Sequence, residues 1–181
     1  MEIKLRRVTE NDLYNLMVWR MRPDIARHMM TEVQLTMDMQ RKWFESLQKN
    51  DTQMRWVIWA DDVPIGSIYL TQIDHRNKHA ELGVFIAEKA YRDFRRLLYI
   101  HWNLFDYVFA HTDLHRIYGC IMEGNEGMIR FNLANGSLVE GKLTDHIYKN
   151  GRFYDLTYVG LTRERWAEFR KGVQYDKYEI E

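Results

Sequence analysis

Two arginine clusters and one strand carboxylate are the residues best suited to chemistry. Arg92, Arg95 and Arg96 stand together at the expected start of a long helix. Guanidinium groups there can make paired, charge-assisted bonds to phosphate, and a helix start adds its dipole and free N–H groups. The same residues also read as a solvated basic helix start, opposed by that dipole. Trp19, Arg20, Arg22 and Arg27 form the second cluster. Stacking and bidentate pairing there would suit a phosphorylated or nucleotide-linked molecule. An amphipathic helix with its basic side in water fits them equally well. Glu81, in the run HAELGVFI, is an acid on an expected strand, and it reads either as a working base or as a surface acid paired to Lys78 or Arg76.

Other chemistries find little support. Seven histidines are present, but no Cys/His/acid set has metal-ligand spacing. His75 and His79 are four apart on a strand or turn, which does not place them on one helical face. There is no G-x-S-x-G, Walker loop or dinucleotide fingerprint. The 26 acids balance the 26 bases, which argues against nucleic-acid binding through global charge. One cysteine, Cys120, forbids an intramolecular disulfide and suits a reducing cytoplasm. It lies in an apolar strand-like run and reads as a buried structural thiol. No signal core or membrane-length apolar run is seen, so a cytoplasmic protein with no membrane association is expected.

The elements that must position these residues follow from periodicity. Ile3 to Val8 alternates as a first strand, and Thr9 with Asp12 marks a helix start. Pro23-Asp24 opens a short helical turn, and Thr36 caps a helix carrying Met39, Trp43, Phe44 and Leu47 on one face. Arg55 to Ala60 and Ile65 to Ile73 read as a hairpin turning at Asp61-Asp62, with Gly66 marking a bulge or a close backbone approach. His79 to Ile86 is a third strand, Arg95 to Phe109 a helix and Leu114 to Met122 a strand. Glu126 to Ala134 is a helix capped by Asn125 and stopped at Asn135-Gly136. Leu138 to Tyr148 and Phe153 to Gly160 pair around Asn150-Gly151, and Arg163 to Arg170 is a terminal helix. This order predicts an α/β (mixed α+β) fold: one domain over residues 1–181, with a twisted, mostly antiparallel sheet and helices on both faces.

Three runs carry a family resemblance: WRMRPDI (Trp19 to Ile25), EGNEGMIRF (Glu123 to Phe131) and DHIYKNGRFYDL (Asp145 to Leu156). With the element order, they resemble N-acetyltransferases of the GNAT superfamily over nearly the whole chain. The closest likeness is to nucleotide-sugar N-acetyltransferases of the pseudaminic acid pathway, while the second half is also similar to ribosomal-protein and small-amine acetyltransferases. The resemblance implies acetyl-CoA (coenzyme A) as donor and a small-molecule primary amine as acceptor. It places Glu81 as the base, Val84, Phe85 and Ile86 against pantetheine, and Arg92, Arg95, Arg96 and Asn125 near the donor. Trp19, Arg20 and Arg22 fall on the acceptor side.

Two departures from the family pattern stand out. The diphosphate loop, usually rich in small residues, reads Arg92-Asp93-Phe94-Arg95-Arg96-Leu97, and Leu97 with its arginine neighbours is bulky enough to fill a groove. Asn132 stands where many members keep a tyrosine acid, and an amide cannot supply a proton. Tyr118 and His115 are alternative donors, as is solvent. A family Gly-Phe pair is Gly136-Ser137 here. A non-catalytic, GNAT-like binding or assembly protein that has lost acetyl-CoA binding is therefore the competing expectation. Exposed aromatics are compatible with a homodimer.

Overall fold

A computed structural model describes residues 1–181. Eight strands form one sheet: β1 (Ile3–Arg7), β2 (Met54–Ala60), β3 (Val63–Asp74), β4 (His79–Ile86), β5 (Arg116–Met122), β6 (Leu138–Lys149), β7 (Arg152–Thr162) and β8 (Glu179–Ile180). Their spatial order is β6-β7-β5-β4-β3-β2-β1-β8. Pairing is antiparallel throughout except at β4–β5 and β1–β8. The helices are α1 (Leu13–Met21), α2 (Pro23–Ala26), α3 (Met37–Lys49), α4 (Phe94–His111), α5 (Glu126–Ala134) and α6 (Arg163–Phe169). The mixed architecture agrees with the expectation from sequence. No helix is long and apolar enough to cross a membrane.

Alternation along the strands sends one set of side chains to each face. On one face Leu5, Ile58, Ile68, Leu70 and Ile117 pack under Leu104, Phe105 and Val108 of α4 and Trp166 of α6. On the other, Val57 meets Leu13, Leu16 and Trp19 of α1 and Ile25 of α2, with Trp43 and Phe44 of α3 outside them. The local punctuation works as its chemistry requires. Asp12 accepts from the Thr9 N–H at 2.8 Å, and Thr36 accepts from the Met39 N–H at 3.3 Å. Asn150 and Gly151 take positive φ of 52° and 76°, the two-residue turn that joins β6 to β7. A carbon added at Gly66 would lie 2.2 Å from the Phe85 carbonyl oxygen, so only glycine lets β3 approach β4 there.

Differences from expectation lie at ends and in the tail. α4 starts at Phe94 and runs to His111, where Thr112 caps it on the Val108 carbonyl; the Leu114 N–H bonds the Thr112 hydroxyl, and β5 begins at Arg116. Arg163 reaches back to the same segment, donating to the carbonyls of Phe109, Thr112 and Leu114. Strand β8 has no sequence signature, since its two residues are held only by β1. Asn125 precedes α5 but makes no side-chain cap. Its carbonyl instead accepts from the Met128 N–H at 2.9 Å.

The tail is fastened at Asp106 of α4. This carboxylate accepts from Trp166 Nε1 (3.1 Å) and the Tyr175 hydroxyl (2.6 Å), and it pairs with Lys177 and Arg170. Burial works against the charged form, but hydrogen bonds from Lys177, Tyr175 and Trp166 outweigh it, and the pKa lies below the ordinary carboxylate value. A depressed carboxylate contributes stability that is complete above its unfolded-chain pKa and is lost as pH falls through the folded value. Asp106→Asn should cost about 1–3 kcal/mol at neutral pH. Its melting temperature should also fall less than the wild type's between pH 7 and pH 3, as followed by thermal unfolding.

Candidate active site

The site begins where two parallel strands stop pairing. β4 and β5 are joined only at His79–Arg116, Ala80–Ile117 and Glu81–Tyr118. Beyond these pairs β4 continues to Ile86 and β5 to Met122, each still bonded to its outer neighbour, β3 or β7. Their inner edges therefore face one another across a gap, presenting backbone groups with no partner strand. A cavity of about 490 Å³ fills this gap, walled by Leu82 to Ile86 on one side and Ile117 to Ile121 on the other. Phe94, Leu97, His101 and Phe105 of α4 and Met128 and Asn132 of α5 close one side. Arg27, His28, Met29 and Met30, following α2, close the opposite side.

The start of α4 stands at one mouth. Leu97 lines the cavity without filling it. The arginine side chains leave the opening instead of plugging it. Arg92 turns back to donate to the Ile86 carbonyl (2.9 Å) and to Asp24 (2.7 Å). Arg95 bonds the Tyr99 hydroxyl (2.9 Å), and Arg96 the Tyr91 carbonyl (2.8 Å). Arg92 borders the cavity, whereas Arg95 and Arg96 do not. Asp93 caps the helix through the Arg96 N–H at 2.8 Å, and its carbonyl takes the Leu97 N–H. That leaves the first two helical amides, Phe94 and Arg95, as the uncommitted donors.

Glu81 lies at the other end of the split, on the last paired residue of β4. Neither Lys78 nor Arg76 holds it: Lys78 pairs with Asp113 at 3.4 Å. Glu81 is part of the cavity lining. Burial pushes its pKa up, partly countered by a hydrogen bond from the Cys120 thiol. Cys120 is thus a cavity-lining, half-buried thiol, which corrects its reading as a sealed core residue. Burial first, and then the Glu81 charge, push that thiol up to about 12. Tyr118, also in the lining, is likewise pushed up to about 12 by burial and then by Glu81. His115 lies elsewhere, exposed beside Glu164 at 3.5 Å. Asn132 reaches the cavity and donates to the Met128 carbonyl at 2.8 Å.

Val84, Phe85, Ile86 and Asn125 all border the cavity, together with Glu81 and Arg92. Trp19, Arg20 and Arg22 do not. Trp19 is buried edge-on against Phe85, with ring centroids 6.3 Å apart. Arg22 grips Asp24 (3.0 Å) and the Ala87 carbonyl (2.9 Å), so it braces the end of β4. Arg20 donates to the Thr31 carbonyl at 2.7 Å and tethers the segment after α2.

Three features carried no readable signal in the sequence. Lys149, buried at the tip of the β6–β7 hairpin, donates to the carbonyls of Ala26 and Met29 at 2.8 Å each and latches the hairpin to the segment closing the cavity. Arg55 stacks 3.9 Å over the Tyr69 ring, with Trp43 behind it at 5.2 Å. Tyr69 itself lies over Gly83, where an added carbon would meet its ring at 2.2 Å. Only the Gly83 position could have hinted at such a close approach.

Comparison with known proteins accords with this geometry. The acetyltransferase (GNAT) domain family matches residues 2–137. YdaF of Bacillus subtilis (strain 168), described as a ribosomal N-acetyltransferase, is 34% identical over 101 residues, 56% of this chain and 55% of that protein. The match thus spans about half of that relative's length. YoaA of the same organism, an uncharacterized N-acetyltransferase, is 25% identical over 167 residues, covering 89% and 93% of the two chains. The crystal structure of spermidine N-acetyltransferase from Vibrio cholerae, in complex with CoA and spermine, superposes with a TM-score of 0.86 at 20% identity, over 92% of this chain and 98% of that one. At that identity the likeness concerns the fold.

The coupling of Cys120 to Glu81 has a direct readout. With its pKa near 12, the thiol should react only slowly with iodoacetamide at pH 7.5. Glu81→Gln removes the charge that helps hold it there, so labelling followed by mass spectrometry should speed up. An unchanged or slower rate would disprove the coupling.

Proposed function

The chain belongs to the GNAT acetyltransferase family, N-acyltransferases that draw on acetyl-CoA, and on that premise we propose that it acetylates a primary amine carried on an anionic small molecule, such as a nucleotide-linked amino sugar. The observation that carries the reading is the open split between β4 and β5, with an unpaired carboxylate, Glu81, at its closed end.

The pantetheine arm would enter the gap and take up the inner backbone groups of Val84, Phe85 and Ile86. Its diphosphate would meet the Phe94 and Arg95 amides at the start of α4. Arg95 and Arg96 flank that position and lend positive potential, offsetting the Asp93 cap. Glu81 would take one proton from the incoming ammonium, a task its raised pKa favours. The neutral nitrogen attacks the thioester carbonyl carbon, and a backbone N–H on the split strand steadies the oxyanion. The C–N bond forms and the C–S bond breaks. The second nitrogen proton passes through solvent to the departing thiolate, and Glu81 returns its proton to water. Tyr118 and Cys120, near 12, are weaker acids than an ordinary thiol at about 8.5, so proton delivery from either runs uphill. Asn132 supplies no proton at all.

Electrostatics on the far side of Glu81 favour an anionic acceptor. Asp24, the lining acid on the α2 side, is already paired with Arg22 (3.0 Å) and Arg92 (2.7 Å), and the third lining acid, Asp93, is the cap of α4. Outside the lining, Arg55 stacks on the lining residue Tyr69; Arg20 and Arg55 both have lowered pKa values, from burial first, Arg20 further lowers Arg55, and no carboxylate pairs with either. Arg27 adds a positive charge to the lining, while beside it burial first, and then Arg27, lower the pKa of His28 and favour its neutral form. A polyamine would approach this wall against its charge, whereas a phosphate-bearing amine would be drawn in. The overall sequence resemblance to nucleotide-sugar N-acetyltransferases is in keeping with this reading.

Calorimetry should detect acetyl-CoA binding, and a thiol-release assay should report turnover with a nucleotide-linked amino sugar at least about 100-fold above spermidine in kcat/KM. Glu81→Gln should lower kcat by about 10²–10⁴-fold with acetyl-CoA affinity retained. Preference for spermidine would overturn the acceptor assignment, and absence of acetyl-CoA binding at millimolar ligand would overturn the donor assignment.

A further inference from the structure

His101 is a histidine at a position where the packing asks for an apolar side chain. It lies in the middle of α4, 1% exposed, with its ring edge-on to Phe131 (4.8 Å) and Phe105 (5.9 Å). Its Nδ1 sits 2.9 Å from the Leu97 carbonyl. A carbonyl oxygen only accepts, so Nδ1 carries the proton, and in the neutral ring Nε2 is left with a bare lone pair. Burial holds the ring neutral by pushing its pKa down to about 4.

Nε2 bonds to no group of the protein, yet it is not among the sealed, unpaired polar atoms of the interior. Its open side is the cavity, which His101 lines together with Leu97, Phe94, Asn132 and Ser137. This is the stretch of cavity between α4, α5 and the split strands. An acceptor of fixed tautomer, set in a wall whose other polar side chains are Asn132 and Ser137, is matched to one hydrogen-bond donor on whatever fills that stretch.

We propose that His101 is a positioning residue for the co-substrate, its Nε2 accepting a hydrogen bond from the pantetheine arm of coenzyme A. The inference rests on the donor reading above. The donor that qualifies is an amide N–H of that arm, present in both acetyl-CoA and CoA; the thiol S–H exists only in CoA and cannot place a thioester. A neutral acceptor at this place fixes how deeply the arm is inserted, and therefore where the thioester lies relative to Glu81.

Titration calorimetry with wild-type protein, His101→Leu and His101→Gln tests this directly. Replacing a buried polar group by one of similar size need not destabilise the fold, so His101→Leu should keep the wild-type melting temperature. Its Kd should rise about tenfold, since one hydrogen bond to the ligand is lost. Equal weakening for acetyl-CoA and CoA supports the assignment with an amide N–H as the donor, whereas weakening for CoA alone would point to the thiol and overturn the positioning role, since acetyl-CoA has no S–H. As a readout independent of any variant, the ¹⁵N resonance of Nε2 in the wild type should shift when CoA is added. Unchanged affinities in a folded variant, or a resonance that does not move on saturation, would overturn the assignment. Wild-type protein that binds neither ligand would defeat the donor reading itself, a distinguishable result.

Discussion

The rest of the molecule depends on two parallel strands being prevented from pairing to their ends. Parallel pairing of β4 and β5 would bury every backbone group of both strands, and it stops after Glu81 and Tyr118. Something must hold the strands apart, and the work is divided. Arg92 and Arg22 seize the carbonyls of Ile86 and Ala87 and fix the far end of β4. β5 stays bonded to β7 along its whole length, Arg116–Thr162 to Met122–Leu156. Each strand is thus anchored on its outer side, and the inner edges can be left for a ligand. The carboxylate of Asp24 links the two arginines, and its pKa is held well below the ordinary range by their hydrogen bonds.

That bracing also explains how a helix start without small residues leaves its amides free. Bulky side chains at Arg92, Arg95, Arg96 and Leu97 obstruct a groove only if they point into it. Arg92 is pulled backwards by Asp24, Arg95 runs out along Tyr99, and Arg96 folds onto the Tyr91 carbonyl. Leu97 becomes wall. Glycine is one way to let a backbone approach an anion, and tying each neighbouring side chain to a partner elsewhere is another.

Local chemistry was legible in the sequence wherever it acts locally. The span of β4, the Thr36 cap, the Glu126–Ala134 helix and the Asn150-Gly151 turn follow from spacing and turn residues, and the structure has them at those positions. Glu81 was identifiable as a strand acid, but its burial was not, because that depends on where β5 departs. Cys120 read as core because its run is apolar on both sides; the split strand turns one of those sides into cavity. Lys149, Arg55 and strand β8 were invisible for a common reason. Each is defined by a partner far away in the chain: Ala26 and Met29, Tyr69 across the sheet, and β1. Asn125 misled in the opposite direction, since a residue type suited to capping left its side chain unused for that purpose.

The cavity joins two unlike environments, and Glu81 sits where they meet. On the α4 and α5 side the wall is Leu97, Phe105, Ile117 and Leu161, relieved by a neutral histidine and two polar residues, Asn132 and Ser137. On the α2 side it is Arg27 and His28 around an acid already neutralised by two arginines. A carboxylate deep in the apolar part would gain a proton and stay protonated, while one among the arginines would be too weak a base to matter. At the boundary, burial raises Glu81 and the Cys120 hydrogen bond limits the rise. The place where β4 and β5 part therefore sets both the shape of the cavity and the basicity of the group at its end.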